Sequence, residues 1–215
     1  FQPEKDILEQ LGLREDAVNI LVHGHEPALA EAIVDAATDP GMLELAQAQG
    51  AVDINVAGIC CTANEVLMRR GVPIAGNFLQ QELAIVTGAV EAMLIDVQCI
   101  MPGVAQAAAC FHTEGIATPE QAHSPGTVHM PFTAETAQQN AREIVARAVA
   151  NYAHRDRGRV MIPGHQMDVV AGFTTESITR MLGGTYRGGY RPLNDGIIAG
   201  RIRGVAAVVG CDSPK

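Results

Sequence analysis

Val18-Asn-Ile-Leu-Val22 runs directly into His23-Gly-His25, and the same arrangement recurs three more times along the chain. Val52–Ile59 (VDINVAGI) ends at Cys60-Cys61, Ala92–Val97 (AMLIDV) at Gln98-Cys99, and Val205–Val209 (VAAVV) at Gly210-Cys211. Each is a short apolar run, rich in β-branched residues, followed by a loop that carries an imidazole or a thiol. Such runs suit strands of a parallel sheet buried on both faces. Where parallel strands alternate with helices, the loops leaving their carboxyl ends gather on one edge, and that edge holds the sites of such folds. Histidines and cysteines far apart in sequence are thereby expected to approach one another. Thiolates combined with an imidazole suit iron–sulfur, zinc or nickel chemistry, not magnesium or calcium.

Between these runs the periodicity is helical. Pro27 stands where a first-turn proline is tolerated, and Ala28–Ala37 continues as a helix. Met42–Gln49 follows, closed by Gly50. Further helices are expected over Asn64–Arg70, Phe78–Thr87, Gly103–Cys110 and, capped by Thr133, Ala134–Ala153. Short strands are expected at Val72–Ala75, Gly115–Ala117 and Thr127–Met130. After a turn-rich stretch, helices are expected from Thr174 or Thr175 to Leu182 and from Pro192 to Gly200. Alternating βα units of this kind predict an α/β fold, a Rossmann-like doubly wound parallel sheet with helices on both faces, as one domain over residues 1–215. The start at Phe1 and the end four residues past Cys211 read as a segment of a larger multidomain protein.

Composition narrows the function classes. Apolar residues make up 47% of the chain, aromatics only 4%, and Trp is absent, so the core must be built from Ala, Val, Ile and Leu. A net charge of −9 disfavours nucleic acid, which needs clustered Lys and Arg. No run of apolar residues is long enough to span a bilayer. No signal peptide is visible, which places five cysteines in a reducing cytoplasm as thiols or thiolates. There is no Cys-x-x-Cys, so a local zinc ribbon, thioredoxin site or bacterial ferredoxin motif is excluded. The dinucleotide fingerprint Gly-x-Gly-x-x-Gly is missing after the first strand, which disfavours an ordinary NAD dehydrogenase.

Each candidate has a plainer reading. A buried cysteine is often only a small hydrophobe, and Cys110, on an Ala-rich helix, is best explained that way. Cys60 and Cys61 are adjacent, so their side chains diverge and one of them at most is a direct ligand. His23 and His25 suit one ligand and one supporting partner, or simply two loop histidines bonded to backbone. His154 suits favourable electrostatics at a helix end. Tyr186–Tyr190 (YRGGY) matches no phosphate-binding motif and reads as a surface loop.

Val22-His-Gly-His-Glu-Pro27, Gly58-Ile-Cys-Cys-Thr-Ala-Asn-Glu-Val-Leu-Met-Arg-Arg-Gly71 and Asp96-Val-Gln-Cys-Ile-Met-Pro-Gly103 resemble the central, Rossmann-like region of anaerobic nickel–iron carbon monoxide dehydrogenases. Ala171-Gly-Phe173, Leu182-Gly-Gly184 and the stretch from Ile197 to Gly210-Cys-Asp-Ser-Pro-Lys215 continue the similarity in order. The resemblance implies an oxidoreductase with a nickel–iron–sulfur cluster (Ni-4Fe-4S) that interconverts CO and water with CO2, two protons and two electrons. It further implies that His25 and Cys61 hold the iron outside the cubane, with Cys60 an alternative if the cluster rearranges, and that Cys99 and Cys211 anchor the iron–sulfur part. An upstream helical region with additional 4Fe-4S clusters and a downstream second α/β domain with the remaining ligands are implied beyond this segment, which alone is expected to be inactive. A homodimer, a ferredoxin-like electron carrier and, in some members, an acetyl-CoA synthase complex are implied as partners. More distant is the similarity to hybrid-cluster proteins, which act as hydroxylamine reductases. They place a glutamate after the second strand, where this chain has Ile59-Cys-Cys-Thr62. A third reading is a non-catalytic Rossmann-like packing domain.

Overall fold

Seven successive residues, Ala17–His23, are wholly buried and form β1, the central strand of the chain. In the computed structural model the described residues are 12–61, 68–97, 99–164, 175–183 and 188–207. The expected helix residues 64–67, Tyr186 and Arg187 of the YRGGY stretch, and Cys211 lie outside them. The described residues fall into two compact units, one within residues 12–164 and one within 175–207.

The first unit holds a six-stranded sheet in the order β3-β2-β1-β4-β5-β6. Its strands are β1, β2 (Asp53–Ile59), β3 (Ile74–Gly76), β4 (Ala92–Ile95), β5 (Glu114–Ala117) and β6 (Val128–His129). Every recorded pairing is parallel. The order reverses between β1 and β4, the topological switch point of a doubly wound fold. The register aligns His23 with both Ile59 and Ile95, and Ile95 with Ala117. The carboxyl ends of β2, β1, β4 and β5 are therefore level along one edge.

Alternation along the strands explains the two helix layers. Val18, Ile20 and Val22 point to one face, packing with Leu29, Ile33, Ile144, Val145 and Ala148 from helices α1 (Pro27–Ala37) and α5 (Ala137–Asn151). Leu21, Ala57, Ile59, Met93 and Ile95 point to the other, against Ala84, Ile85, Val104 and Ala108 of α3 (Gln81–Val86) and α4 (Val104–Ala109). Both faces being dry, the strands are mostly apolar, and Asn19, fully buried on β1, is bonded to the Arg14 and Ala89 carbonyls. Helix α2 (Pro40–Ala48) ends at Gln49, with Gly50 in the left-handed conformation just beyond it.

Two expectations are corrected. Helix α5 starts at Ala137 rather than Ala134, because Thr133 closes a turn instead, its Oγ1 accepting from Thr136 N at 3.3 Å. The run expected as a last strand does not pair over its described part: Val205–Ala207 carry no strand, and Val205 is 91% exposed. Its β-branched composition alone does not make a strand without a neighbour to complete the ladder. The second unit contains α6 (Thr175–Gly183) and α7 (Arg191–Ile198), joined by a tight approach in which Gly189 N donates to Thr179 O at 3.1 Å.

At the amino end of β4, Glu91 is completely buried and is met by several donors. Its Oε1 accepts from Arg155 Nε at 2.7 Å and lies 2.8 Å from His112 Nε2. Its Oε2 accepts from Asn19 N at 2.6 Å and from an Arg155 terminal nitrogen at 2.7 Å. Arg155 also donates to the carbonyls of Glu15, Ala17 and Ala89, tying the segment after α5 beneath β1 and β4. Removing one member leaves a buried charge unpaired. Glu91→Leu should therefore lower stability by about 3–5 kcal/mol, read as a fall in the urea midpoint at unchanged m-value. A loss of about 0.5 kcal/mol or less would show that the guanidinium finds water instead.

Candidate metal centre at the switch point

Three of the four thiol- or imidazole-bearing loops leave adjacent strands at the level carboxyl edge: Cys60-Cys61 after β2, His23-Gly24-His25 at the end of β1, and Cys99 after β4. The crevice between β1 and β4 is where α/β sheets bind ligands, and here it lies between the histidine loop and the Cys99 loop.

The β1 loop is set by one carboxylate. Asp96, 1% exposed, accepts from His25 N at 2.6 Å through Oδ1 and from Glu26 N at 2.7 Å through Oδ2. Burial pushes its carboxyl above the usual range, against the pull of those two amides and of His25. Gly24 has φ 130°, and a Cβ there would fall 1.4 Å from Oδ1, so no other residue fits.

His25 is half-buried, and its Nδ1 lies 2.9 Å from the Val97 carbonyl. A carbonyl oxygen only accepts, so the proton must sit on Nδ1 and the Nε2 lone pair is left for a metal. A metal-ligating histidine needs its other nitrogen fixed in this way. His23 differs: it is fully buried at the end of β1, with Nε2 3.5 Å from Cys60 Sγ and, among the described residues, no partner within hydrogen-bond geometry of Nδ1. Burial, reinforced by the neighbouring His25, pushes its pKa down to about 4, and nearby backbone of Cys99 offsets this only in part.

Two of the loop cysteines adopt left-handed backbone, Cys60 directly after β2 at φ 67° and Cys99 four residues after β4 at φ 57°. That conformation costs a side-chain-bearing residue about 1–3 kcal/mol and is kept where the surroundings over-determine it. At Cys99 the surroundings are Gln81, fully buried on α3, whose Nε2 donates to Cys99 O at 2.6 Å and whose Oε1 accepts from Met101 N at 3.0 Å. Cys61 is exposed, and Cys60 is half-buried and turned toward His23, so the adjacent thiols do diverge. Cys110 is exposed at the end of α4 rather than a buried filler, because the small Ala-rich helix ends there at the surface. Its replacement should cost about 0.5 kcal/mol or less. His112 belongs to the Glu91 network, and His154 Nδ1 lies 3.1 Å from Asn151 Oδ1.

Among the described residues, no three His, Cys, Asp or Glu side chains gather tightly enough to chelate a single ion. The donors do fit a larger soft-metal group: a half-buried imidazole with its tautomer fixed, and thiols on two flanking loops, one of them in strained backbone. Asp96 and Gln81 are the residues that sequence reading missed, and the contact between His23 and Cys60, both already singled out, was not anticipated. The one signal for Asp96 is an acid closing an otherwise apolar strand just before a cysteine loop.

Fold and loops together define a doubly wound α/β domain presenting sulfur and imidazole donors at its switch point. The chain belongs to the Prismane/CO dehydrogenase family, whose pattern matches residues 2–215. It is 52% identical over 214 residues to carbon monoxide dehydrogenase 1 of Methanosarcina mazei, covering 100% of this chain and 33% of that protein. Carbon monoxide dehydrogenase 1 of Carboxydothermus hydrogenoformans is 45% identical, with 100% of this chain and 34% of that one covered. Among solved structures, a Ni-free carbon monoxide dehydrogenase from Thermococcus sp. AM4 superimposes with a TM-score of 0.83 at 51% identity, covering 95% of this chain and 32% of that one. The chain thus spans about a third of the length of the relatives it matches.

The low pKa of His23 makes metal-free stability pH-dependent. The unfolded chain takes up a proton near pH 6.5 that the folded chain refuses until about pH 4. This contribution is thus full above the upper value, falls by about 1.4 kcal/mol per pH unit below it, and levels off beneath the lower one. His23→Leu should abolish that slope in urea unfolding across the window. An equal slope in both proteins would place the titration on another group.

Proposed function

We propose that this chain is the cluster-binding α/β segment of an anaerobic nickel–iron carbon monoxide dehydrogenase, with His25, Cys61, Cys99 and Cys211 as ligands of a Ni-4Fe-4S cluster. The observation that carries this reading is the level exit of β2, β1 and β4, which delivers Cys61, His25 and Cys99 to one edge on either side of the switch point. The likeness to enzymes named carbon monoxide dehydrogenase supports it. So does a likeness to a chain of an acetyl-CoA synthase/carbon monoxide dehydrogenase, at 42% identity and a TM-score of 0.82.

When bound, the cluster supplies the redox chemistry that interconverts CO and water with CO2, two protons and two electrons. The part of this chain is to hold it. His25 presents Nε2 because Val97 occupies Nδ1. Cys99 offers its thiol from a loop that Gln81 fixes. The apolar sheet and its two helix layers keep bulk water from the base of the site, which strengthens every electrostatic interaction there. His23, held neutral by burial, adds no positive charge beside the imidazole ligand. A homodimer, a ferredoxin-like carrier, further 4Fe-4S clusters and, by analogy with a relative named as acetyl-CoA synthase subunit, an acetyl-CoA synthase partner complete the proposal. No helix among the described residues is long and apolar enough to cross a membrane, and a cytoplasmic enzyme accords with the reduced thiols. The hybrid-cluster alternative gains no support from the β2 loop, which offers thiols in place of a carboxylate.

In the complete protein, Cys61→Ala and Cys99→Ala should each remove nickel and reduce CO oxidation with an artificial acceptor to background. Cys110→Ala should keep both metal content and rate. Full nickel and near-normal rate in Cys61→Ala, together with loss of both in Cys110→Ala, would require the ligand set to be redrawn.

A further inference from the structure

Asp96 directly follows the last residue of β4, and its main chain extends the ladder to β1, Asp96 N donating to His23 O at 3.2 Å. Its carboxylate then reaches past the strand and takes both amides of the β1 loop, His25 N and Glu26 N. The opposing loop leaves no slack, since Gly24 lies so close that any side chain would overlap the carboxylate. The bond back from His25 Nδ1 ends on Val97 O, inside the short segment that joins Asp96 to Cys99. A closed set of main-chain and side-chain contacts therefore joins the histidine loop to the Cys99 loop through protein atoms.

Simple helix capping does not account for this. The first helical residue of α1 is Pro27, the amides that Asp96 takes lie upstream of it, and Glu26 already serves as N-cap by accepting from Ala28 N at 3.2 Å. Asp96 holds the approach to the helix, which is the stretch carrying His25.

We propose that Asp96 is a positioning residue of the site: by gripping the His25 and Glu26 amides across the switch point, it fixes the His25 ring relative to the Cys99 loop. Its importance for a cluster rests on the function proposed above, whereas its grip on the loop stands apart from that reading. A preformed loop spares metal binding the cost of ordering it, and second-layer contacts of this kind orient metal ligands and tune the metal.

The test is Asp96→Asn in the complete protein purified without oxygen. Asn keeps the shape but offers one acceptor, and its NH2 group must face an amide N–H. In metal-free protein, amide exchange at His25 and Glu26 should quicken by about tenfold or more, as expected for losing a hydrogen bond to a charged group, while the interior of β1 is unchanged. In metal-loaded protein the Mössbauer spectrum should lose or shift the iron that carries His25, even in molecules that keep the rest of the cluster. Should Asp96→Asn fail to fold, Asp96→Ser weakens the same contact without any overlap and should give the same two signatures. Wild-type exchange and spectrum in a folded variant overturn the proposal, as does a uniform rise in exchange over the whole sheet, the mark of a merely structural role. If the wild-type protein holds no nickel–iron–sulfur cluster, the functional reading fails, while the exchange measurement still decides whether Asp96 grips the loop.

Discussion

The parallel pairing of β1 with β2 on one side and β4 on the other is the constraint from which the rest follows. Residues His23, Ile59 and Ile95 share a level in that register. A shift by one residue would invert every buried side chain between the two helix layers, so the dry faces of the sheet enforce the alignment. Once three strands end level, the loops that leave them have a common edge, and the site needs only short segments to bring its donors forward. The reversal of strand order between β1 and β4 opens the crevice between two of those loops.

Buried polar side chains fix both ends of the same strand pair. Beneath, Glu91 and Arg155 join β1, β4 and the chain after α5 through a fully bonded ion pair. Above, Asp96 and Gln81 use every terminal oxygen and nitrogen that they spend on the main chain of the two loops. Satisfied networks of this kind add little net stability, yet they specify one arrangement, because any alternative leaves a charge or amide buried without a partner. The left-handed backbone at Cys60 and Cys99 is the local cost of that arrangement. Strain placed on the cysteines of the loops, and absent from the strands that support them, is what a site preorganised for a ligand requires.

Much of this was legible in the sequence because the core is simple. The mostly apolar, β-branched runs at Val18–Val22, Val52–Ile59 and Ala92–Val97 suit doubly covered strands, and each stands in the sheet within a residue or two of its expected limits. Pro27 and Gly50 marked helix ends for backbone reasons that tertiary structure did not override. Where the reading went astray, the deciding partner was remote. Val205–Ala207 look like a strand but have no neighbour in the ladder. Thr133 looks like a cap but closes the turn before one. Cys110 looks like filler on a small-residue helix, whose end reaches the surface. The contacts that shape the site were hidden for the same reason. Asp96 meets amides about seventy positions upstream, and Gln81 meets a carbonyl eighteen positions downstream, separations at which residue spacing carries no signal.

The loops after β2, β1 and β4 are proposed to hold one shared cluster, with His25 bound through Nε2. Anomalous diffraction at the iron and nickel edges, from crystals of the complete protein grown without oxygen, tests it most directly. One compact group of iron and nickel peaks is expected at the carboxyl edge of the sheet, with His25 Nε2 and the sulfurs of Cys61, Cys99 and Cys211 bonded to it and His25 Nδ1 still on the Val97 carbonyl. Metal bound at Nδ1, or a cluster whose ligands leave out the β1 and β4 loops, would contradict it.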